Sequence, residues 1–267
     1  MTYEKDLARI VEDVVAPQAA RVDAKGVFSC AALGELAAAG ILGLTVPAEL
    51  GGGGRGLDAA TDVVRTLSQA CGSTAMVVTM HYAATAVLAA TGREDVLREI
   101  AQGRHLSTLA FSETGSRSHF WAPLSTATAE GDEVVLDAAK SWVTSAHHAD
   151  SYVWSSRPLA ADGPMSLWFV RTGVPGLGPG AGFDLALTAA LPWFLLLNAA
   201  AGAGLMESVT AATAGHLTGT RLRHLGQSLA HQVPARAGLA RMRIETDRTR
   251  ALDFVGRALC GLPLLEA

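Results

Sequence analysis

Apolar residues recur with helical spacing at the start of the chain. Leu7, Ile10, Val11, Val14 and Val15 fall on one stripe of a 3.6-residue period. Pro17 follows and is expected to kink or end that helix, because it lacks an amide hydrogen and its ring crowds the preceding turn. The same periodicity predicts helices over residues 31–39, stopped by Gly40, over 57–70, over 73–90 and, more briefly, over 93–101. Between the first two of these, "ILGLTVPAELGGGG" puts a proline and four glycines behind a short apolar run. That composition predicts a loop in which backbone packs closely on backbone. After Leu106 the period drops towards 2. "LSTLAFSE", "STATAEGDEVVLDAAKSWVTSA", "SYVWSS" and "MSLWFV" are short, rich in β-branched or aromatic residues, and punctuated by Gly, Asp or Pro. They predict a small sheet with a hairpin turn at Glu130-Gly131-Asp132, closed by the turn-rich "TGVPGLGPGAG". Helical character returns at Phe183 and runs to about Leu259. The expected fold is therefore mainly α with a small middle β-domain: a helical domain over residues 1–105, the β-domain over 106–182, and a helical bundle over 183–267.

Composition narrows the partners. Charged residues make up 17% of the 267 residues, against about 25% in an average soluble domain. A surface so poor in charge predicts burial against another subunit, in a homodimer or homotetramer. The net charge of -4 supplies no basic field for a nucleic-acid backbone. Cys30, Cys71 and Cys260 have neither metal-site nor disulfide-scaffold spacing, which fits a reducing, cytoplasmic setting. The first residues, MTYEKDLARI, carry no signal-peptide core. Residues 185–206, "LALTAALPWFLLLNAAAGAGLM", are uncharged and long enough to span a bilayer. Pro192 and Asn198 interrupt them, no basic cluster flanks them, and the small residues from Ala199 to Gly204 suit close helix packing. A buried bundle helix is expected, with no membrane insertion.

Familiar catalytic motifs are scarce. Gly51 to Gly54 match neither GxGxxG after a strand nor a phosphate loop, so a tight turn is expected there. No HExxH, paired-cysteine or EF-hand pattern supports a metal. Ser112, His81 and Glu113 have the residue types of a hydrolase triad, but Ser112 is not in GxSxG. The remaining signal lies in "LSTLAFSETGSRSHFWAP", where an apolar run meets hydroxyls, one acid, one arginine, a histidine and a tryptophan, and in "KSWVT", residues 140–144. A flat cofactor needs aromatic or aliphatic faces and a few donors and acceptors. Trp142 could supply such a face, and Ser112 and Thr144 could bond a polar edge. Taken singly, Trp142 reads as a core residue of the sheet and Ser112 as a strand-end hydroxyl.

Together these segments resemble the acyl-CoA dehydrogenase family. In that family an apolar residue, Thr or Ser, Glu and a Gly-rich turn ending in Ser-Asp precede a Lys-x-Trp-Ile-Thr segment. Here they read Phe111-Ser112-Glu113-Thr114-Gly115-Ser116-Arg117-Ser118-His119 and Lys140-Ser141-Trp142-Val143-Thr144. "GILGLTVPAELGGGG" is similar to the family's first-domain Gly-Leu…Pro…Gly-Gly segment. The resemblance implies FAD bound by Trp142, Ser112, Thr144, the pyrophosphate ligand Ser118, and backbone groups at Leu109 and Phe111. It also implies a contribution from "RLRHLGQSLAHQ" of a neighbouring subunit through Arg221 or Arg223 and Gln232; a solvated basic helix face is the alternative reading of that stretch. The implied reaction is α,β-dehydrogenation of an acyl-CoA thioester, an oxidoreductase step in fatty-acid or lipid metabolism, with an electron-transfer partner taking the electrons.

The chain departs from the family pattern in places. His119 stands where Asp is usual, and Thr114 where Pro is common. "VPGLGPGAGFD" joins the middle segment directly to the last one, and "MRIETDRTRALDFVGRALCGLPLL" passes from one bundle helix to what resembles the family's final helix. Internal and C-terminal segments are thus expected to be lacking, and with them the usual catalytic carboxylate. Neither Glu207 nor Glu245 matches its position, so the catalytic residue is unknown. The alternative functions are a related flavin-dependent monooxygenase, which His81 or His119 beside the flavin would favour, or an inactive interaction protein of the same fold.

Overall fold

The computed structural model describes residues 3–117, 119–131, 133–159, 165–172 and 185–260. The chain opens with α1 (Tyr3–Ile10), a π-turn over Val11–Val15 and α2 (Ala16–Lys25), which run on as one helix. Pro17 neither ends nor breaks it, contrary to the expectation from sequence. It is the second residue of α2, and the widened π-turn just before it displaces the carbonyl that its ring would strike. The same device recurs at Pro192: a π-turn over Ala186–Ala190 leads into α7 (Leu191–Gly219), and the proline is again the second residue.

α3 (Cys30–Ala38) ends at Gly40, whose φ of 71° lets the Ile41 amide donate back to the Leu36 carbonyl at 2.8 Å. The glycine-rich loop then folds on itself. The amides of Gly53, Gly54 and Arg55 donate to the carbonyls of Gly43, Val46 and Leu44, and a Cβ at Gly52 or Gly53 would run into that backbone. The glycines therefore serve close backbone packing, as their composition predicts.

α4 (Leu57–Ala70), α5 (Gly72–Ala90) and α6 (Glu94–Ala101) follow. α5 is apolar on all sides because it is the central helix of the fold. One hydrophobic cluster joins α1–α5 to Leu197, Ala200 and Ala201 of α7; a second joins α5 and α6 to Leu109, Val153 and Phe169 of the sheet and to Ala189 and Ala190. Both cores cross the sequence boundaries near residues 105 and 183. Gly204 marks the tightest crossing of α4 and α7, where a Cβ would overlap the Ser68 hydroxyl and the Arg65 carbonyl.

The β-region is two sheets rather than the single one expected. β1 (Ser107–Ala110) pairs in parallel with β4 (Ser151–Ser156), which pairs antiparallel with β5 (Ser166–Arg171). β2 (Thr126–Glu130) and β3 (Glu133–Asp137) form a separate hairpin that is mostly exposed on both faces. Trp154 faces Trp168 across β4–β5, and that alternation buries β4 and β5 where the hairpin stays wet.

α7 differs from the expected buried helix. Only 39% of its most apolar window lies inside the fold, against 67% for α5. Leu195, Leu205 and Val209 are exposed. By length and composition alone, α5 and the helical stretch Ala186–Gly219 could each cross a membrane. A short hairpin of β6 (Arg221–Leu222) and β7 (Gln227–Ser228) follows, so this basic stretch is not a helix face. α8 (Val233–Cys260) then runs unbroken through "MRIETDRTR", and no interruption marks the junction anticipated there. The other anticipated junction, "VPGLGPGAGFD", lies outside the described residues.

One buried histidine ties α5 to the sheet, and a second ties the segment after α6 to β4. His81 on α5 donates from Nε2 to the Leu42 carbonyl and accepts at Nδ1 from the Ser107 amide, both at 3.1 Å. Burial lowers its pKa to about 4, from 6.5 in an open chain. His105, bonded to the Ser151 hydroxyl, is shifted down by burial as well. A depressed folded-state pKa means that the unfolded chain takes up the proton first. The stability His81 contributes is thus complete above pH 6.5 and is lost as pH falls to about 4, a loss of about 3 kcal/mol. Urea unfolding at pH 7.5 and pH 4.5 should show this slope, and H81Q should flatten it, since Gln can make both bonds without titrating. An unchanged slope in H81Q would rule out His81 as its source.

Candidate functional site

The segment after β1 and the segment after β3 meet at the mouth of a cavity of about 300 Å³. Met80, Leu109, Phe111, Ser112, Phe120, Ser141, Trp142, Ala186, Ala190, Leu191 and Phe194 line it. Helices α5 and α7 with the second π-turn form one wall; β1 and the two segments form the other. Among the described residues the cavity lining is aromatic, apolar and free of charge. Its polar edge consists of the Ser112 and Ser141 hydroxyls, which have no hydrogen-bond partner among the described residues.

Trp142 is the most informative side chain of the site. It is 93% exposed and its φ is 55°, so it is not a sheet-core residue. A bulky residue in the left-handed region is strained, and strain of that kind collects where a side chain must be presented. Ser145 and His147 share the conformation at φ of 64° and 68°. Trp142 also borders a second cavity, of about 420 Å³, with Lys140, Val143, Ala146, His147, Tyr152 and Trp154. The indole nitrogen of Trp154 is buried and has no hydrogen-bond partner among the described residues.

A buried ion pair, not singled out from the sequence, holds these segments together. Lys140 Nζ lies 2.6 Å from Glu113 Oε1, and the side chains are 5% and 3% exposed. The ammonium also donates to the Ser155 carbonyl at 2.6 Å and hydroxyl at 3.0 Å. Glu113 further accepts from the Ser125 hydroxyl and from the Leu124 and Ser125 amides. Burial alone would raise the Glu113 pKa, but these bonds overcome it and hold the carboxyl below its usual range. Burial lowers the Lys140 pKa against the pull of Glu113. The available clue was one acid and one lysine, each next to a cofactor candidate, in otherwise uncharged segments.

The site residues expected from sequence divide into four groups. Leu109, Phe111, Ser112 and Trp142 converge on the cavity. Thr144 sits just beyond it, its carbonyl accepting from the Thr108 hydroxyl at 2.8 Å and its own hydroxyl unpartnered among the described residues. Ser118 lies outside the described residues. Arg221, Arg223 and Gln232 lie beyond the far end of α7, whose 29 residues at about 1.5 Å each separate its ends by about 40 Å. They do not join this cavity within one chain. The hydrolase triad does not assemble either, because backbone groups occupy both nitrogens of His81 and Lys140 occupies Glu113. His119 is on the surface, its ring 5.0 Å from that of Trp121. Glu207 is clamped by Arg65 at 3.3 Å and Arg250 at 3.1 Å, and Glu245 pairs with Arg248. Neither faces the cavity. Among the described residues no group of His, Cys, Asp and Glu could hold a metal.

Comparison with known proteins gives this geometry a context. Residues 2–103 match the acyl-CoA dehydrogenase N-terminal domain. The human mitochondrial short-chain specific acyl-CoA dehydrogenase is 30% identical over 169 residues, which are 60% of this chain and 41% of that protein. Residues 2–103 thus match the acyl-CoA dehydrogenase family, and the chain beyond them is similar to its members. Another relative, the benzylmalonyl-CoA dehydrogenase of Aromatoleum aromaticum, is 28% identical over 181 residues, 65% of this chain and 47% of that protein. The fold is that of butyryl-CoA dehydrogenase from Megasphaera elsdenii, with a TM-score of 0.84 at 18% identity, over 94% of this chain and 76% of that one. The matches thus span less than half the length of these two curated relatives. Acyl-CoA dehydrogenases are FAD-dependent flavoproteins. The residues present fit that cofactor. Leu109, Phe111, Phe120 and Trp142 offer flat apolar faces; the free hydroxyls of Ser112, Ser141 and Thr144 and the orphaned Trp154 N–H offer polar contacts.

Proposed function

We propose that the chain binds FAD between Trp142 and the Leu109–Ser112 segment and forms the flavin-holding part of an acyl-CoA dehydrogenase-like oxidoreductase whose substrate is an acyl-CoA thioester. The observation that carries this reading is the meeting of both signature segments at one aromatic, uncharged cavity. FAD, when bound, supplies the hydride acceptor for α,β-dehydrogenation. The chain's own residues hold and shield. Trp142 covers one face, and Phe111, Phe120 and Phe194 keep water from the reacting carbons. Ser112 and Ser141 offer hydroxyls to a polar ring edge. An electron-transfer protein and a homodimer or homotetramer belong to the same reading. The exposed Leu195, Leu205 and Val209 of α7 supply apolar surface for a subunit contact rather than for a membrane. A second reading, a flavin-dependent monooxygenase of the same fold, is favoured by the lack of any carboxylate among the described lining residues, since the dehydrogenase step needs an α-proton base.

Titration of the apoprotein with FAD tests the shared part of both readings. Saturable quenching of flavin fluorescence, with one FAD per chain and micromolar or tighter affinity, is expected. Lack of saturable binding at any oligomer concentration would exclude both.

A further inference from the structure

We infer that Glu113 and Lys140 are positioning residues for this pocket: their buried ion pair locks the segment bearing Ser112 to the segment bearing Trp142 and so sets the cavity walls before anything binds. The inference rests on the reading of the cavity as a flavin site.

Trp142 holds a left-handed conformation with its side chain 93% exposed, so its own packing cannot maintain that geometry. The restraint must come from its neighbours in the chain. Downstream, the Thr108 hydroxyl fixes the Thr144 carbonyl. Upstream, the Ser141 amide donates to the Ser112 carbonyl at 3.0 Å, and the Thr114 amide to the Ala139 carbonyl at 2.9 Å. These two bonds flank an isolated bridge between Glu113 and Lys140. Outside the regular strands, so short a bridge needs a side-chain anchor. The ion pair supplies it and ties both segments to Ser155 on β4, a strand of the three-stranded sheet.

The saturation of the pair gives it directional force. All three ammonium hydrogens have acceptors, and the carboxylate has four donors. Any slide of one segment along the other would leave a buried donor or acceptor unmatched. An apolar pair of similar volume could stabilise the fold equally well but would not specify one register. The pair thus fixes where Ser112 and Trp142 stand relative to each other, to the tolerance that a bound ring requires.

The variants K140M and E113Q/K140M test this. K140M leaves a buried unpaired carboxylate and can fail to fold; the double variant removes both charges and keeps the fold. Two measurements apply. In the absence of flavin, hydrogen exchange should speed up by about tenfold in residues 112–116 and 139–144 of the double variant, while β4 and β5 keep their protection. In titrations with FAD, the dissociation constant should rise about tenfold, the low end of what losing a supporting group costs, even where the melting temperature matches wild type. A purely structural pair would let flavin affinity recover along with stability. Wild-type exchange in those segments, or wild-type flavin affinity in the double variant, overturns the inference. A wild-type protein that binds no FAD would defeat the functional reading instead, and the exchange measurement would still decide whether the pair positions the two segments.

Discussion

Anaerobic mixing of the FAD-loaded 267-residue polypeptide with a saturated acyl-CoA is expected to leave the flavin oxidised on the stopped-flow timescale. Dehydrogenation requires removal of an α-proton as the hydride leaves the β-carbon, and a positioned carboxylate accelerates such a step by about 10²–10⁴-fold. The described cavity lining holds no carboxylate. Glu113 is committed to Lys140 and Glu207 to two arginines. Moving Glu113 to the cavity would leave the buried Lys140 unpaired, and Glu207 is not among the described lining residues. The expected defect lies in the chemical step rather than in affinity. Substrate should still perturb the flavin spectrum, and dithionite should still bleach it. Fast bleaching by acyl-CoA in a sample with an intact mass of 27.6 kDa would show that a base exists in this chain and overturn the prediction.

Trp142→Gly should move stability and cofactor affinity in opposite directions. The indole is 93% exposed, so removing it forfeits almost no packing. Its backbone sits at φ 55°, a conformation that costs an L-residue about 1–2 kcal/mol and glycine nothing. After the greater freedom of glycine in the unfolded chain is subtracted, a net gain of about 0.5 kcal/mol remains. Flavin binding loses a large aromatic face, about 2 kcal/mol or roughly thirtyfold in Kd. Trp142→Ala should weaken binding to a similar extent without the gain in stability. Melting curves of the apoproteins and flavin titrations measure the two effects separately. A Gly variant that melts lower than wild type would mean that Trp142 is packed in solution; unchanged affinity would remove it from the site.

The two signatures could be read because each is a short run in which residue types carry the chemistry. Phe111 and Ser112 of the first motif and Ser141 and Trp142 of the second line the cavity, and they were legible as a pair of motifs. The bond between the motifs was not. Glu113 and Lys140 are 27 positions apart, and nothing in either local pattern says that their side chains point at each other. Helices α4 and α5 were legible because long stretches of consistent periodicity outweigh local noise. The continuity of α1 through Pro17 was not, because a π-turn leaves no mark in an apolar periodicity read at 3.6 residues.

The amino-acid order by itself determined the sequence of helices, strands and helices, the tight turn at Gly51–Gly54, and the residue types that can face a flavin. These follow from local sterics and from the spacing of apolar side chains, which act over a few residues. Tertiary structure alone decided the rest. It split the β-region into a buried three-stranded sheet and a solvated hairpin. It exposed one side of an α7 that is apolar all round, and it sent Arg221, Arg223 and Gln232 to the far end of that helix. It also turned Trp142 outward and welded its segment to Ser112 through one buried ion pair. Each of these outcomes depends on which distant surface a side chain meets, and burial and charge pairing exist only once the chain has brought those surfaces together.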